Sequence, residues 1–266
     1  MNIFIREMKT NTKSLLIWCF SMIFLIYAGL LKYSAFAKTG DAVMQFMAQI
    51  PESMKVVMGI MEGADLTSVA VFYSIFFLYF ILLAAVHSSM LGALIIAKEE
   101  RDKTADFLYV KPITRQYAIT CKIAAAVVNI LILNLVTFAA SLISVERYNT
   151  GAPLTYPVFL ICAALFLIQL IFLGLGLLLG ALAKNAKSAT SIVSSIILVT
   201  FILKVIIDLN SDLGFLRSFS PFLYFNANTV MFQKQIDPAF GLLSIALTLL
   251  CAAGTYFFFN RRDLRC

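Results

Sequence analysis

The chain has 266 residues, is 61% hydrophobic and only 13% charged, and carries 24 Phe; a water-soluble globular domain is far less apolar. Its formal net charge of +7 is a topology signal that says little about nucleic acid; a basic face meeting anionic lipid explains it, and no nucleic-acid partner is expected. The expected fold class is an all-α integral membrane protein without a sizeable soluble domain.

In chain order, Phe4, Met8 and Leu15 recur at helical spacing while Arg6, Lys9 and Lys13 take another face. This predicts a short amphipathic helix in the membrane interface; the alternative is a frayed basic tail. The first apolar run, Ser14–Leu31, is closed by no small-residue cleavage site and continues through "LLKYSAFAKTG". It is therefore expected to be a retained first helix and not a removed leader.

Five further runs are long enough to cross a bilayer: Val69–Ala97, Ile123–Val145, Val158–Ala183, Ser188–Ile207 and Ala239–Phe259. The second span would be roughly 43 Å as a straight helix, so it should tilt or protrude. Six spans place both termini, the 98–122 loop and the short "KNAK" turn on one side. That side carries 14 Lys and Arg against 6 acids, and the other carries 7 against 8. The first is therefore expected to face the cytoplasm.

Between the second and third spans lies "AKEERDKTADFLYVKPITRQY" (97–117), with acids and bases mixed. Thr104 can cap a short helix containing Asp106, Phe107, Leu108 and Tyr109. Pro112 ends it, and Thr114 can cap the helix that returns to the membrane. The result is an elbow that presents Phe107, Leu108 and Tyr109 within a rim of Glu99, Glu100, Arg101, Asp102, Lys103 and Arg115. An apolar centre in a polar rim is the anatomy of a protein-docking patch; an ordinary charged loop is the competing reading.

The third to fifth spans hold few polar groups. Asn129, Asn134 and Gln169 lie in the third and fourth. Gly176 and Gly180 form a GxxxG pair that permits close backbone approach, which favours packing within the chain. Ser188, Ser191, Ser194 and Ser195 stack along the fifth. Asn129, Asn134, Ser191, Ser194 and Ser195 are candidates for a pathway or a dimer contact, with packing within the chain left open. Lys204 and Asp208, one turn apart, read as a snorkelling pair in preference to a substrate contact. His87, the only histidine, reads as a packing residue. The aromatic stretch 209–238 is too apolar for a free loop and suits a re-entrant segment.

The second, third, fourth and sixth spans contain no Asp, Glu, Lys or Arg, so an ion-driven transporter is disfavoured. No phosphate loop GxxxxGK[ST] occurs. The five cysteines are scattered and suggest no disulfide framework, and no ligand set for a metal gathers. No cofactor is expected in this chain, and any driving energy has to come from a partner.

At the elbow the sequence resembles a known family. "AKEERDKTADFLYVKPITRQYAITCK" is similar to the loop between the second and third helices of type-two ABC exporter permeases. Glu99, Glu100, Thr104, Phe107, Leu108, Pro112, Thr114, Arg115 and Lys122 fall on that pattern, and Lys103 stands where many members have Gly. "REMKTNTKSLLIW", "IPESMKVVMGI", "DLTSVAVFYSIFF", "SPFLYFN" and "FNRRDL" follow in the family's order, over nearly the whole chain.

The resemblance implies a type V exporter-like domain spanning 1–266, with an interface helix and a coupling helix at the elbow. It implies a permease paired with a second permease chain, either a copy or a paralogue, in a bacterial plasma membrane. Two separate ABC ATP-binding subunits would bind ATP and Mg, and the chain itself would not be an enzyme. A peptide toxin, antimicrobial peptide or drug is the substrate class expected first. A lipid or polymer precursor comes second. A scaffold or sensor subunit that transports nothing is the third reading.

Overall fold

The computed structural model describes residues 3–57, 59–60, 68–101, 114–183 and 185–261. Every regular element among them is helical: α1 Ile3–Gln49, α2 Glu52–Val57, α3 Val69–Arg101, α4 Arg115–Tyr148, α5 Thr155–Leu182, α6 Ala186–Leu209, α7 Ala227–Gln233 and α8 Pro238–Arg261, with two 3-10 helices, Ser211–Phe219 and Pro221–Leu223. Six of these hold segments long and apolar enough to cross a membrane.

The first helix differs from the sequence expectation. No break separates an entry helix from a first span, and α1 runs through both, 47 residues in one piece. The polar stretch Thr10-Asn11-Thr12 looks like a boundary but feeds the helix. Thr10 Oγ1 donates to the Arg6 carbonyl at 2.9 Å, Asn11 Nδ2 to Glu7 at 2.9 Å and Thr12 Oγ1 to Met8 at 2.8 Å. Such i−4 bonds let hydroxyl and amide side chains stay helical. The third span is likewise extended, since α4 begins at Arg115 and takes Lys122 inside the helix. Its start is the one the sequence indicated, for Thr114 Oγ1 accepts the Tyr117 amide at 3.2 Å. Asn185 caps α6 in the same way, accepting from the Ser188 amide at 2.7 Å.

Helix α5 lies at the centre of the bundle, and its main partner is α3. The glycines make that seam. A Cβ on Gly176 would collide with the Ser89 carbonyl oxygen and come within 3.0 Å of the Ala93 nitrogen. One on Gly180 would meet the Ala93 oxygen at 2.8 Å, and one on Gly92 the Leu173 oxygen at 2.5 Å. The GxxxG pair therefore packs within the chain. Gly176→Val forces backbones apart, and overpacking of this kind costs about 1 to 3 kcal/mol. It is expected to lower the thermal midpoint in detergent by several degrees, while Gly241→Val, with open space at its Cβ, should leave the midpoint unchanged.

Segment 210–237 is folded against the bundle. Ser220 Oγ donates to the Thr200 carbonyl of α6 at 2.8 Å. Phe222 packs on Phe172 of α5 and Phe201 of α6, with ring centroids 5.2 and 5.7 Å away. Because Thr200 and Phe172 lie well inside their helices, this part of the segment packs between α5 and α6 and not at their ends. Two of its side chains bond its own backbone: Tyr224 Oη donates to the Ser218 carbonyl at 2.6 Å, and Arg217 Nε to Leu223 at 3.0 Å. Backbone at this depth is tolerated because protein surrounds it.

Candidate functional site at the basic end of the bundle

Four helix ends converge where the basic residues gather. The first turns of α1, the last turns of α3, the first turns of α4 and the end of α8 share one apolar cluster. Ile95, Ile96, Ile119, Ala125, Ile130 and Phe259 are buried in it, with Phe4 and Met8 packed against its flank. Ile3 and Ala118 form a smaller contact beside it. Apolar burial brings the four ends together, and polar groups then fix their register.

The central polar group is Glu7, which is 0% exposed. One carboxylate oxygen pairs with Lys98 Nζ of α3, and the other accepts from Arg6 at 3.2 Å. A buried carboxylate has to be paired to be tolerated. Lys98 closes the requirement at the point where α3 leads into the elbow. On the returning side, Lys122 of α4 is 1% exposed and its Nζ donates to the Ile95 carbonyl of α3 at 2.8 Å. An ammonium near a helix C-terminus also complements the helix dipole. Asn129 Nδ2 bonds the Ala125 carbonyl at 3.1 Å and Met8 Sδ at 3.3 Å, which ties α4 to α1. Thr120 and Tyr256 share a 2.8 Å hydroxyl bond that ties α4 to α8. The helix ends on either side of residues 102–113 are thus joined to each other and to α1.

The expected site residues distribute unevenly over this frame. Phe4 and Met8 turn inward, Arg6 leans on Glu7, and Lys9 and Lys13 are exposed on the other face. Glu99 and Glu100 lie in the last turn of α3, and Arg115 is the exposed first residue of α4. Lys103, Thr104, Phe107, Leu108, Tyr109 and Pro112 lie outside the described residues. Asn129 and Asn134 are buried between helices of the same chain and do not face outward. Asn134 Nδ2 donates to the Cys162 carbonyl at 3.0 Å and to Gln169 Oε1 at 3.3 Å. Ser191, Ser194 and Ser195 are exposed on α6, beside a shallow groove of about 310 Å³ that Ser191, Ser195 and Val199 help to line. Ser194 and Ser195 donate to their own helix, to the Thr190 and Ser191 carbonyls.

Sequence reasoning missed Glu7 and treated Lys98 and Lys122 as loop bases. A signal existed in both cases. Glu7 is an acid at an inward position of the Ile3, Phe4, Met8 face, and Lys122 falls on the Ala118, Ile119, Ala125, Asn129 face. His87 is buried against Trp18, ring centroids 5.3 Å apart, as a packing residue would be. Lys204 and Asp208 form the pair that their spacing suggests. Lys204 is 7% exposed and pairs with Asp208 at 2.7 Å, beneath segment 210–237.

The family model described as ABC-2 family transporter protein matches residues 1–264. No curated protein matches the chain.

Proposed function

Since the chain belongs to the ABC-2 family of transporter proteins, we propose that it is the permease subunit of an ATP-driven exporter, worked by a separate ABC ATP-binding subunit. Membership makes it a membrane transport component and implies association with such a subunit. The observation that carries the coupling is the buried junction of Glu7, Lys98 and Lys122. It links the helices on either side of the elbow to α1, so a displacement of the elbow reaches three helices together.

In this reading residues 98–117 dock on the ATPase. Phe107, Leu108 and Tyr109 supply the contact, and Glu99, Glu100, Lys103, Thr104, Pro112 and Arg115 supply its rim and shape. ATP and Mg are held by two copies of the partner and not by this chain. The basic end faces the cytoplasm. Helices α6 and α8 expose apolar residues such as Leu198, Val199, Leu249 and Leu250, and a second permease chain sits against this side, with Ser191, Ser194 and Ser195 at the contact or the pathway.

The exported substrate is an amphipathic peptide or a hydrophobic drug. The exposed groove on α6 supports this, being apolar with a few hydroxyls and no charge. Co-expression with the cognate ATP-binding subunit, followed by a peptide screen for stimulated ATP turnover, tests the substrate class. Stimulation by amphipathic peptides is expected, and a complex that responds to none of them would remove peptides from the assignment.

The orientation has its own test. In a background freed of native cysteines, a cysteine at position 103 should be labelled by an impermeant maleimide only from the cytoplasm, and one at position 55 only from outside. Labelling of both from one side would overturn the six-span topology.

A further inference from the structure

At the end of the bundle away from the basic junction, a cavity of about 820 Å³ opens between α3, α6 and segment 210–237. Its volume falls within the roughly 300 to 1,000 Å³ typical of small-molecule sites. Its lining is divided by polarity. Lys204, Asp208, Arg217, Asn226 and Asn228 stand toward the outer end, while Phe77, Ile81 and Phe222 line it deeper in the bundle. Ile81 is about 18 Å along α3 from Val69 at 1.5 Å per residue. The cavity therefore joins charged groups near the end of α6 to an apolar wall about two turns long on α3, from Ile75 to Ile81.

Among the described residues, these charges keep unused donors. Lys204 Nζ has one partner, Asp208, at 2.7 Å, which leaves two of its three donors. Arg217 spends Nε on the Leu223 carbonyl at 3.0 Å and lays its guanidinium over the Phe240 ring at 4.8 Å, and among the described residues its two terminal nitrogens have no hydrogen-bond partner. Among the described lining residues two cations face one carboxylate, and two asparagines add neutral donors. A half-buried site with surplus donors and a net positive charge favours an anion, because charge-assisted bonds in such a place are strong. The apolar depth favours a hydrocarbon chain.

The geometry points to a binding site for a single-chain anionic amphiphile, a lysophospholipid-like molecule of the outer leaflet. Its acidic head sits at Lys204 and Arg217, and its chain lies along Phe77 and Ile81. Asp208 holds Lys204 in place when the site is empty and competes with the incoming head. The site is separate from the basic junction and does not depend on the ATP-binding partner.

Asp208 makes the proposal testable by sign. The full-length chain is placed in phosphatidylcholine nanodiscs with a photoactivatable lysophosphatidylglycerol, and cross-linked peptides are mapped. Labelling of α3 around Phe77 and Ile81 is expected. Unlabelled lysophosphatidylglycerol should compete at least about tenfold better than monoacylglycerol, a difference of about 1.4 kcal/mol. Lys204→Met and Arg217→Gln should each weaken labelling severalfold, and Asp208→Asn should strengthen it. Equal competition by the neutral amphiphile would overturn the assignment of an anionic head. Loss of labelling in Asp208→Asn as deep as in Lys204→Met would show a structural ion pair only, and overturn it too. Arg217 lies outside that pair, so its variant keeps the test valid if Lys204→Met folds poorly.

Discussion

Glu7→Ala is expected to cost about 3 kcal/mol of stability, the low end of the 3 to 5 kcal/mol typical when one partner of a buried ion pair is removed. The low end applies because the Lys98 side chain is 13% exposed and Arg6 32% exposed. Water therefore recovers part of the loss. What remains is a mostly buried ammonium with its carboxylate gone. Adding Lys98→Met should restore most of the stability, since replacing both members of a buried pair by apolar groups is often neutral.

The single and double variants separate stability from coupling. Thermal unfolding in detergent should show a deep loss for Glu7→Ala and a recovery for the double variant. Substrate-stimulated ATP turnover should stay low in both, because the tie between α1 and the elbow is missing in both. Recovery of turnover along with stability would mean that the pair serves folding alone.

Replacing Phe107 and Leu108 by Ala is expected to detach the ATP-binding subunit. An interface anchor costs about 2 kcal/mol or more when truncated, roughly a thirtyfold loss of affinity per residue. The pair together should remove co-purification in detergent while expression and membrane insertion persist, because the six apolar segments are untouched. Reversing the charge of Lys103 or Arg115 should instead slow association and raise its salt sensitivity, since rim charges act mainly on encounter. Full retention of the ATPase by the Phe107→Ala, Leu108→Ala variant would reduce the elbow to a charged loop.

Much of the fold was legible because run length is a direct physical requirement of the bilayer. All six apolar segments appear as helices, and Gly176 and Gly180 pack where the GxxxG spacing suggests. Boundaries were harder. The Thr10-Asn11-Thr12 stretch and Lys122 look like loop residues in one dimension, yet their polar atoms bond helix carbonyls. The pairing of Glu7 with Lys98 joins positions 91 residues apart, and no local pattern announces such a partner. Lys204 pairs with Asp208 as their spacing suggested, but its burial was not legible, for a related reason. Its surroundings are set by segment 210–237, whose place beside Thr200 depends on packing of Phe222 that spacing alone does not reveal. Asn129 and Asn134 were open between a pathway, a dimer contact and packing within the chain, because a polar group in an apolar span fits all three. Within this chain each bonds a neighbouring helix.

The central claim is that the chain moves its substrate with energy supplied by a partner, and nucleotide binding measures this most directly. Saturable binding of radiolabelled Mg-ATP should be measured on the isolated full-length chain and on its complex with the ATP-binding subunit. The account predicts none for the chain alone and stoichiometric binding at the partner in the complex. Saturable binding by the isolated chain would contradict it.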